Sequence, residues 1–149
     1  MSNQTEVRTE RRVGTQEMIN KLLEERQEML VLFCQVASLE PYTKSNPVKP
    51  KLQEFCQVLV DYIAFGHFEV YERIARGKER RTRVVQVAKT IYPKLAEATE
   101  VAVAFNDKYD TSEVESLLEN LPKDLSTLGE ELAVRIELED RLVGAMLAR

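Results

Sequence analysis

The chain has 149 residues, of which 44% are hydrophobic and 31% are charged, and its formal net charge is −4. These values are typical of one soluble globular domain that can bury an apolar core without metal ions or disulfides. No uninterrupted apolar run approaches the roughly 20 residues that span a bilayer, and the polar N-terminus lacks the apolar segment of a secretory signal. We therefore expect a cytoplasmic protein that does not bind membranes.

The two charge signs are unevenly distributed along the chain. Residues 97–149 contain thirteen acidic and five basic side chains, whereas residues 1–96 carry a net charge of +4. An acidic surface on the C-terminal part would repel duplex DNA and would suit a basic protein partner. We therefore expect no direct DNA binding.

The composition favours helices, because glycine and proline are few and residues of high helix propensity are plentiful. Residues 1–14 are predicted to form a flexible tail. Thr15 is the predicted N-cap of a first helix that ends near Ser38. The apolar stripe of this helix comprises Ile19, Leu23, Leu30, Phe33 and Ala37. The prolines within residues 40–50 then require a loop.

A second helix is predicted from about Lys51 to Ala75. Its inner stripe comprises Leu52, Cys56, Leu59, Ile63, Val70 and Ile74. Gly66 lies in the middle of this helix, where a glycine costs about 1 kcal/mol relative to alanine. A close approach by a neighbouring backbone would explain the glycine, and simple tolerance of it is the alternative.

A third helical stretch is predicted from Glu79 to Tyr109, and Pro93 should kink it or split it in two. Its inward positions are Val84, Ala88, Ile91, Leu95, Ala98, Ala102 and Phe105.

The C-terminal part is predicted to contain a short helix and a long one. The short helix covers residues 112–120, begins with Ser112 in a capping box, and is ended by Pro122. The long helix begins near Thr127 and runs to the C-terminus. Four long amphipathic segments with mostly short connections predict an all-α fold, an antiparallel up-down-up-down four-helix bundle with short accessory helices. We expect a single domain over residues 15–149.

Three ionisable residues interrupt the apolar stripes. Arg26 lies between Leu23 and Leu30, His67 lies on the second helix, and Glu139 lies on the last one. Because an unpaired buried charge is very costly, we predict that Arg26 pairs with Glu139 and that His67 lies nearby. This buried polar cluster would fix the packing of the helices.

Chemistry at that cluster is the alternative interpretation, in which the bundle binds a small ligand or a metal ion. A di-metal centre would need Glu-x-x-His motifs, but Ala64 stands three residues before His67, the only histidine. Cys34 and Cys56 are interpreted as packed free thiols, and a disulfide between helices is the alternative. Phosphate-binding, nucleophile-elbow and zinc-protease motifs are absent from the sequence. We therefore expect no metal, no cofactor and no enzymatic activity.

The second helix carries an additional apolar stripe on its outer side. This outer stripe comprises Glu54, Val58, Asp61, Ala64, Phe65, Phe68 and Glu72. Aromatic side chains framed by acids are typical of an interaction surface for a basic partner with an apolar ridge. The alternative is that the proline-rich loop or another helix covers the stripe.

A basic run surrounds the end of the second helix. It comprises Arg76, Lys78, Arg80, Arg81 and Arg83. A solvated junction between helices and a contact site for a further regulatory protein are both compatible with this pattern.

The second helix also resembles a known family. Residues 55–73 match the pattern F-C-Q-x-L-V-D-Y-x-x-x-G-H-F-x-x-Y-E, and residues 24–34, 104–110 and 138–142 give further matches. The chain thereby resembles the Rsd/AlgQ family of bacterial regulators of sigma D, more closely its AlgQ branch.

The resemblance implies an all-α anti-sigma factor that binds region 4 of the primary sigma factor. Binding would keep sigma from core RNA polymerase, typically as growth slows towards stationary phase. The implied sigma-contacting residues are Asp61, Ala64 and Phe68, all on the outer stripe. The family often has a small polar residue where Ala64 stands, so one side-chain hydrogen bond would be missing here. Phe65 and Glu72 complete the expected partner-binding set.

Overall fold

The computed structural model describes residues 2–77, 79–111 and 113–148, and it contains helices and no strand over these residues. The predicted all-α class is therefore confirmed. The elements in chain order are α1 (Ser2–Ser38), α2 (Lys49–Phe65), a π-helical segment (Gly66–Tyr71), α3 (Glu72–Ala75), α4 (Thr82–Tyr109), a 3₁₀ turn (Val114–Leu117) and α5 (Leu121–Leu147). None of these helices is long and apolar enough to cross a membrane over the residues described.

Helix α1 begins at Ser2, well before the predicted N-cap at Thr15. Residues 2–12 contain neither proline nor glycine, so the sequence has no signal that would end a helix there. Its buried face is rotated by about one residue from the predicted stripe. The buried positions are Ile19, Leu22, Met29, Leu32 and Val36, whereas Leu23, Leu30 and Phe33 are half-buried and Ala37 is exposed. Two statements stay predictions: the flexibility of residues 1–14 and the single domain over residues 15–149.

The second predicted helix is present as α2, the π-helical segment and α3, which follow one another without a break. All six predicted inner residues from Leu52 to Ile74 are buried. Gly77 ends the helix with a φ of 77°, a conformation that glycine adopts without steric cost. The sequence does not predict the π-helical segment between Gly66 and Tyr71, which buries Tyr71 in addition to these six residues.

Helix α4 runs through Pro93 without a break, and its seven predicted inward residues are all buried. Pro93 leaves the carbonyl of Lys89 without its helical N–H partner. Because both residues are exposed, water can satisfy that carbonyl. The proline is therefore accommodated within one helix, so of the two predicted outcomes, a kink or a split, the split is wrong.

The start of α5 also differs from the prediction. The helix begins at Leu121 rather than Thr127, with Pro122 in its first turn. Proline suits this position because the first N–H groups of a helix have no partner within it. Pro122 therefore begins α5 instead of ending the preceding piece, which is a four-residue 3₁₀ turn. Ser112, the predicted cap of that piece, lies outside the described residues.

Helix α1 contacts α2 and α5, and α4 also contacts α2 and α5. Four rings join three of these helices at one end, and we call them the aromatic cluster: Phe33, Phe55, Phe105 and Tyr109. Successive ring centroids lie 5.9, 5.9 and 4.6 Å apart. Of the two cysteines, Cys56 is buried as predicted, whereas Cys34 is exposed, and both are free thiols.

Candidate functional site

The outer stripe is partly open to solvent. Phe68 is 61% exposed, more than any other exposed large hydrophobic side chain among the described residues. Asp61 is also exposed, whereas Ala64, Phe65 and Glu72 are half-buried. Helix α1 covers part of Phe65, because Lys21 Nζ lies 4.8 Å from the centre of its ring. The open apolar part of the stripe is therefore centred on Phe68.

Acidic side chains surround this open part. Asp61 accepts a hydrogen bond from Gln57 at 3.1 Å, and Glu72 forms an ion pair of 2.5 Å with Arg76. Glu25 on α1 belongs to the same surface. Its burial, together with the negative charge of Asp61, raises the pKa of its carboxyl group despite the opposing effect of Lys21. Helix α1 thus contributes Lys21 and Glu25 to the rim, which the stripe on a single helix could not reveal.

Phe68 also borders a shallow depression on the surface. The residues that line it are Phe68, Glu69, Glu72, Arg73 and Arg76. The His67 ring lies against Phe68 in a T-shaped arrangement, with 4.8 Å between the centroids. The surface beside Phe68 therefore carries charges of both signs, and it is not purely acidic.

Arg26 and Glu139 lie close together, as the sequence predicted. Arg26 Nη1 is 3.5 Å from Glu139 Oε1 and 2.7 Å from Asp140 Oδ1. His67, however, is exposed, and its predicted place in the cluster is wrong. Its spacing from Ile63 and Val70 places His67 at the edge of the inner stripe, and the residue buried at that level of the helix is Gly66.

The buried partners of Glu139 are two tyrosines and a second arginine. Tyr62 donates its hydroxyl hydrogen bond to both carboxylate oxygens, at 2.6 and 2.7 Å, and Tyr71 donates one at 3.1 Å. Arg135 Nε lies 3.4 Å from Glu139 Oε2 in an ion pair without a well-aligned hydrogen bond. We call Tyr62, Tyr71, Arg135 and Glu139 the buried polar network.

Arg135 is the residue that the sequence interpretation missed. Its side chain is 1% exposed, and Nη1 donates a hydrogen bond of 2.7 Å to Thr99 on α4. Its guanidinium carbon lies 5.3 Å from the Tyr62 ring centre and 5.6 Å from that of Tyr71, within cation–π distance. A signal was present, because Arg135 lies three residues after Leu132 and four before Glu139, on one helix face.

The two tyrosines of the network stay neutral over a wide pH range. Burial raises the pKa of both Tyr62 and Tyr71, and the negative charge of Glu139 raises it further, against the opposing effect of Arg135. Each hydroxyl therefore remains a hydrogen-bond donor to the carboxylate at physiological pH. The network ties α2, the π-helical segment, α4 and α5 together.

Part of the basic run forms hydrogen bonds within the chain. Arg81 donates hydrogen bonds to the Met146 carbonyl and to Glu79, at 2.5 and 3.0 Å, and Arg83 reaches the Ala145 carbonyl at 3.4 Å. These two arginines satisfy carbonyl groups at the C-terminal end of α5. Lys78 lies outside the described residues.

Among the side chains described, no group of three His, Cys, Asp or Glu residues is arranged to hold a metal ion. The buried polar network also contains Arg135 and borders Arg26, whose charges would repel a cation. The geometry therefore gives no support to a metal site at Glu139.

Comparison with known proteins gives consistent matches over almost the whole chain. The profile of the family described as regulator of RNA polymerase sigma(70) subunit, Rsd/AlgQ, matches residues 1–147. The chain is 36% identical over 147 residues to the regulator of sigma D of Yersinia enterocolitica, covering 96% of this chain and 88% of that protein. It is 35% identical over 152 residues to the regulator of sigma D of Salmonella newport, with 96% and 90% covered.

Proposed function

Since the chain belongs to the Rsd/AlgQ family of regulators of the RNA polymerase sigma(70) subunit, we propose that it is a non-enzymatic anti-sigma factor. It binds region 4 of the primary sigma factor and so reduces the use of that factor by RNA polymerase. Binding is stoichiometric and takes place in the cytoplasm, without direct contact between this chain and DNA.

The 61% exposure of Phe68 is the observation that carries this proposal. A large aromatic side chain open to solvent and surrounded by charges is typical of a residue that anchors a protein partner. The proposed contact set is Asp61, Ala64, Phe65, Phe68 and Glu72. Within it, Phe68 supplies the apolar area that loses its water on binding.

The acidic side chains earlier on the outer stripe support a basic partner. Asp61 is exposed and Glu25 lies near it, so this part of the surface carries negative charge. Such charges increase the rate of encounter with a basic DNA-binding module, and their effect falls as salt is added. Phe65 contributes less than Phe68, because Lys21 and the core already cover part of its ring.

We further infer that the four long helices form an antiparallel up-down-up-down bundle. Phe33, late in α1, contacts Phe55 early in α2, whereas Lys21 lies over Phe65 at the end of α2. In the pair formed by α4 and α5, Lys108 late in α4 forms an ion pair with Asp124 early in α5. Contacts between the late part of one helix and the early part of the next are those of helices that run in opposite directions. The outer stripe then lies on one side of the bundle.

Calorimetric titration with purified sigma region 4 tests the proposed function. Phe68→Ala and Asp61→Ala should each weaken binding by about 1 kcal/mol or more, which is roughly fivefold. Tyr92→Ala and Asp107→Ala are matched controls, because both residues are exposed on α4. These controls should bind like the parent protein. Full-strength binding by the Asp61/Phe68 double variant would place the interface elsewhere.

A further inference from the structure

The π-helical segment connects the buried polar network to the outer stripe. Its last residue, Tyr71, donates a hydrogen bond to Glu139, whereas Phe68, three residues earlier, is open to solvent. We propose that the buried polar network holds this segment in its π-helical register and thereby positions Phe68 for docking. This proposal rests on the proposed function. Gly66, Tyr71, Arg135 and Glu139 are positioning residues in it, and they do not touch the partner.

Helix geometry shows why the network requires π-helical spacing. Tyr62 and Tyr71 are nine residues apart, and at about 100° per residue an α-helix would place them about 180° apart, on opposite faces. Both hydroxyls nevertheless donate to the same carboxylate, that of Glu139. Hydrogen bonds from residue i to i+5 take more residues per turn and bring Tyr71 round to the side of Tyr62. The carboxylate therefore receives both donors only in the π-helical register.

Gly66 gives independent evidence for the same coupling. A Cβ atom at this position would lie 2.9 Å from Arg135 Nη2 and 3.3 Å from Tyr71 Cε2. The guanidinium group therefore occupies the space that a side chain would need. The neighbour that requires glycine here is this side chain, and not the backbone that the sequence interpretation considered. Gly66 thus lets the network reach the first residue of the segment, while Tyr71 anchors the last.

The register decides what the outer surface presents. In an uninterrupted α-helix Tyr71 would lie on the face opposite Tyr62 and away from Glu139. In the structure His67 is exposed beside Phe68, and Tyr71 is buried. A change from π-helical to α-helical hydrogen bonding would therefore rotate Phe68 relative to Asp61, which precedes the segment. A partner that contacts both residues would detect that rotation.

Two substitutions inside the helix test the proposal without touching the docking surface. Gly66→Ala places a methyl group against Arg135, and Tyr71→Phe removes one hydrogen bond to Glu139. We expect both variants to remain helical and to bind sigma region 4 roughly fivefold more weakly, measured by calorimetry. If Gly66→Ala fails to fold, Tyr71→Phe decides the matter alone.

The chain offers a matched control for each substitution. Gly144→Ala changes a helical glycine with open space around it, since no atom lies within 4 Å of the added Cβ. Tyr109→Phe removes a tyrosine–carboxylate hydrogen bond, to Asp124, far along the chain from the π-helical segment. Both controls should bind sigma region 4 like the parent protein.

A double-mutant cycle separates positioning from general loss of stability. If Tyr71 acts through Phe68, then Phe68→Ala should cost about twofold or less in the Tyr71→Phe background, against roughly fivefold in the parent. Amide hydrogen exchange over residues 66–72 should also become faster in Tyr71→Phe, with the exchange of α4 unchanged.

The outcomes distinguish this proposal from the proposed function. If Phe68→Ala binds normally in the parent, the docking surface is wrong and both proposals fall. If Phe68→Ala weakens binding but folded Gly66→Ala and Tyr71→Phe bind at full strength, only the positioning role is overturned. Additive losses in the cycle, or weaker binding with unchanged exchange over residues 66–72, would overturn it as well.

Discussion

Two regions of the helical core are held together by different interactions. At one end the aromatic cluster joins α1, α2 and α4 through rings 4.6 to 5.9 Å apart. Midway along the bundle the buried polar network joins α2, the π-helical segment, α4 and α5 through directed hydrogen bonds to Glu139 and Thr99. Each region has a fully buried centre, as Phe55 and Glu139 are each 0% exposed.

The two regions differ in how strictly they fix the geometry of the helices. Apolar burial is nearly independent of direction, so rings can shift and still exclude water. A buried carboxylate is costly unless its donors are placed correctly, so it tolerates few arrangements. The aromatic cluster therefore contributes stability, whereas the polar network also selects one helical register. That selection occurs beneath the surface that we propose for docking.

Glu139→Ala should give the largest loss of stability. It leaves the Arg135 guanidinium buried without its carboxylate and leaves two tyrosine hydroxyls without an acceptor. We expect the free energy of unfolding, from urea denaturation, to fall by about 3–5 kcal/mol. Asp140→Ala is the control, because it removes an exposed acid that pairs with Arg26 and should cost less than about 1 kcal/mol. Equal losses in the two variants would refute the special role of Glu139.

Alkaline pH should give the second largest loss of stability, because it weakens the polar network. Because the pKa values of Tyr62 and Tyr71 are raised in the folded state, the tyrosines contribute stability that is fully present below about pH 10. This contribution is lost as the pH rises above that value, by about 1.4 kcal/mol per tyrosine at pH 11. Urea denaturation between pH 8 and pH 11 measures the decline. It should be shallower in Tyr62→Phe, and an identical slope would contradict the assignment.

Phe55→Leu should have a smaller effect, because the aromatic cluster can repack around another apolar side chain. We expect the free energy of unfolding to fall by about 1 kcal/mol. The measurement is urea denaturation under the conditions used for Glu139→Ala. A loss as large as that of Glu139→Ala would show that the aromatic cluster is as strict in its geometry as the polar network.

Gly144→Ala should have the smallest effect, and in the opposite direction. The residue is exposed on α5 and an added methyl group meets no other atom. Alanine favours the helix over glycine, so stability should increase by about 0.5 kcal/mol. Thermal unfolding followed by circular dichroism provides the check. A destabilised Gly144→Ala would show that helical glycines in this chain are constrained even away from the network.

Much of the fold could be predicted because apolar spacing is regular over α2 and α4. Every predicted inner position of these two helices is buried, and Pro93 did not disturb them. Helix α5 begins earlier than its sequence predicts, because proline can follow the end of one helix or occupy the first turn of the next, as Pro122 does. The spacing rule thus succeeded on the second and third predicted helices and was off by about one residue on α1. It failed at a helix end that proline can mark in two ways.

The candidate site was predicted less completely, for a physical reason. The Arg26–Glu139 contact follows from the cost of burying a lone charge. The exposure of His67 does not, because spacing alone leaves a residue at the edge of the inner stripe undecided, and Gly66 takes the buried position beside it. The burial of Tyr71 could not be predicted either, since no local sequence signal marks a π-helical turn. Arg135 could have been found by its spacing from Glu139. The partial cover of Phe65 by Lys21 could not have been found from spacing, because it depends on a neighbouring helix.

The most direct test of the docking surface is a ¹H–¹⁵N NMR titration of the full chain with purified sigma region 4. We predict that the largest amide shift changes occur within residues 58–72, with smaller ones around Lys21 and Glu25 on α1. The exposed face of α4 around Tyr92 and Val103 should be unaffected. Changes concentrated on α4, with residues 58–72 unmoved, would contradict the proposed interface.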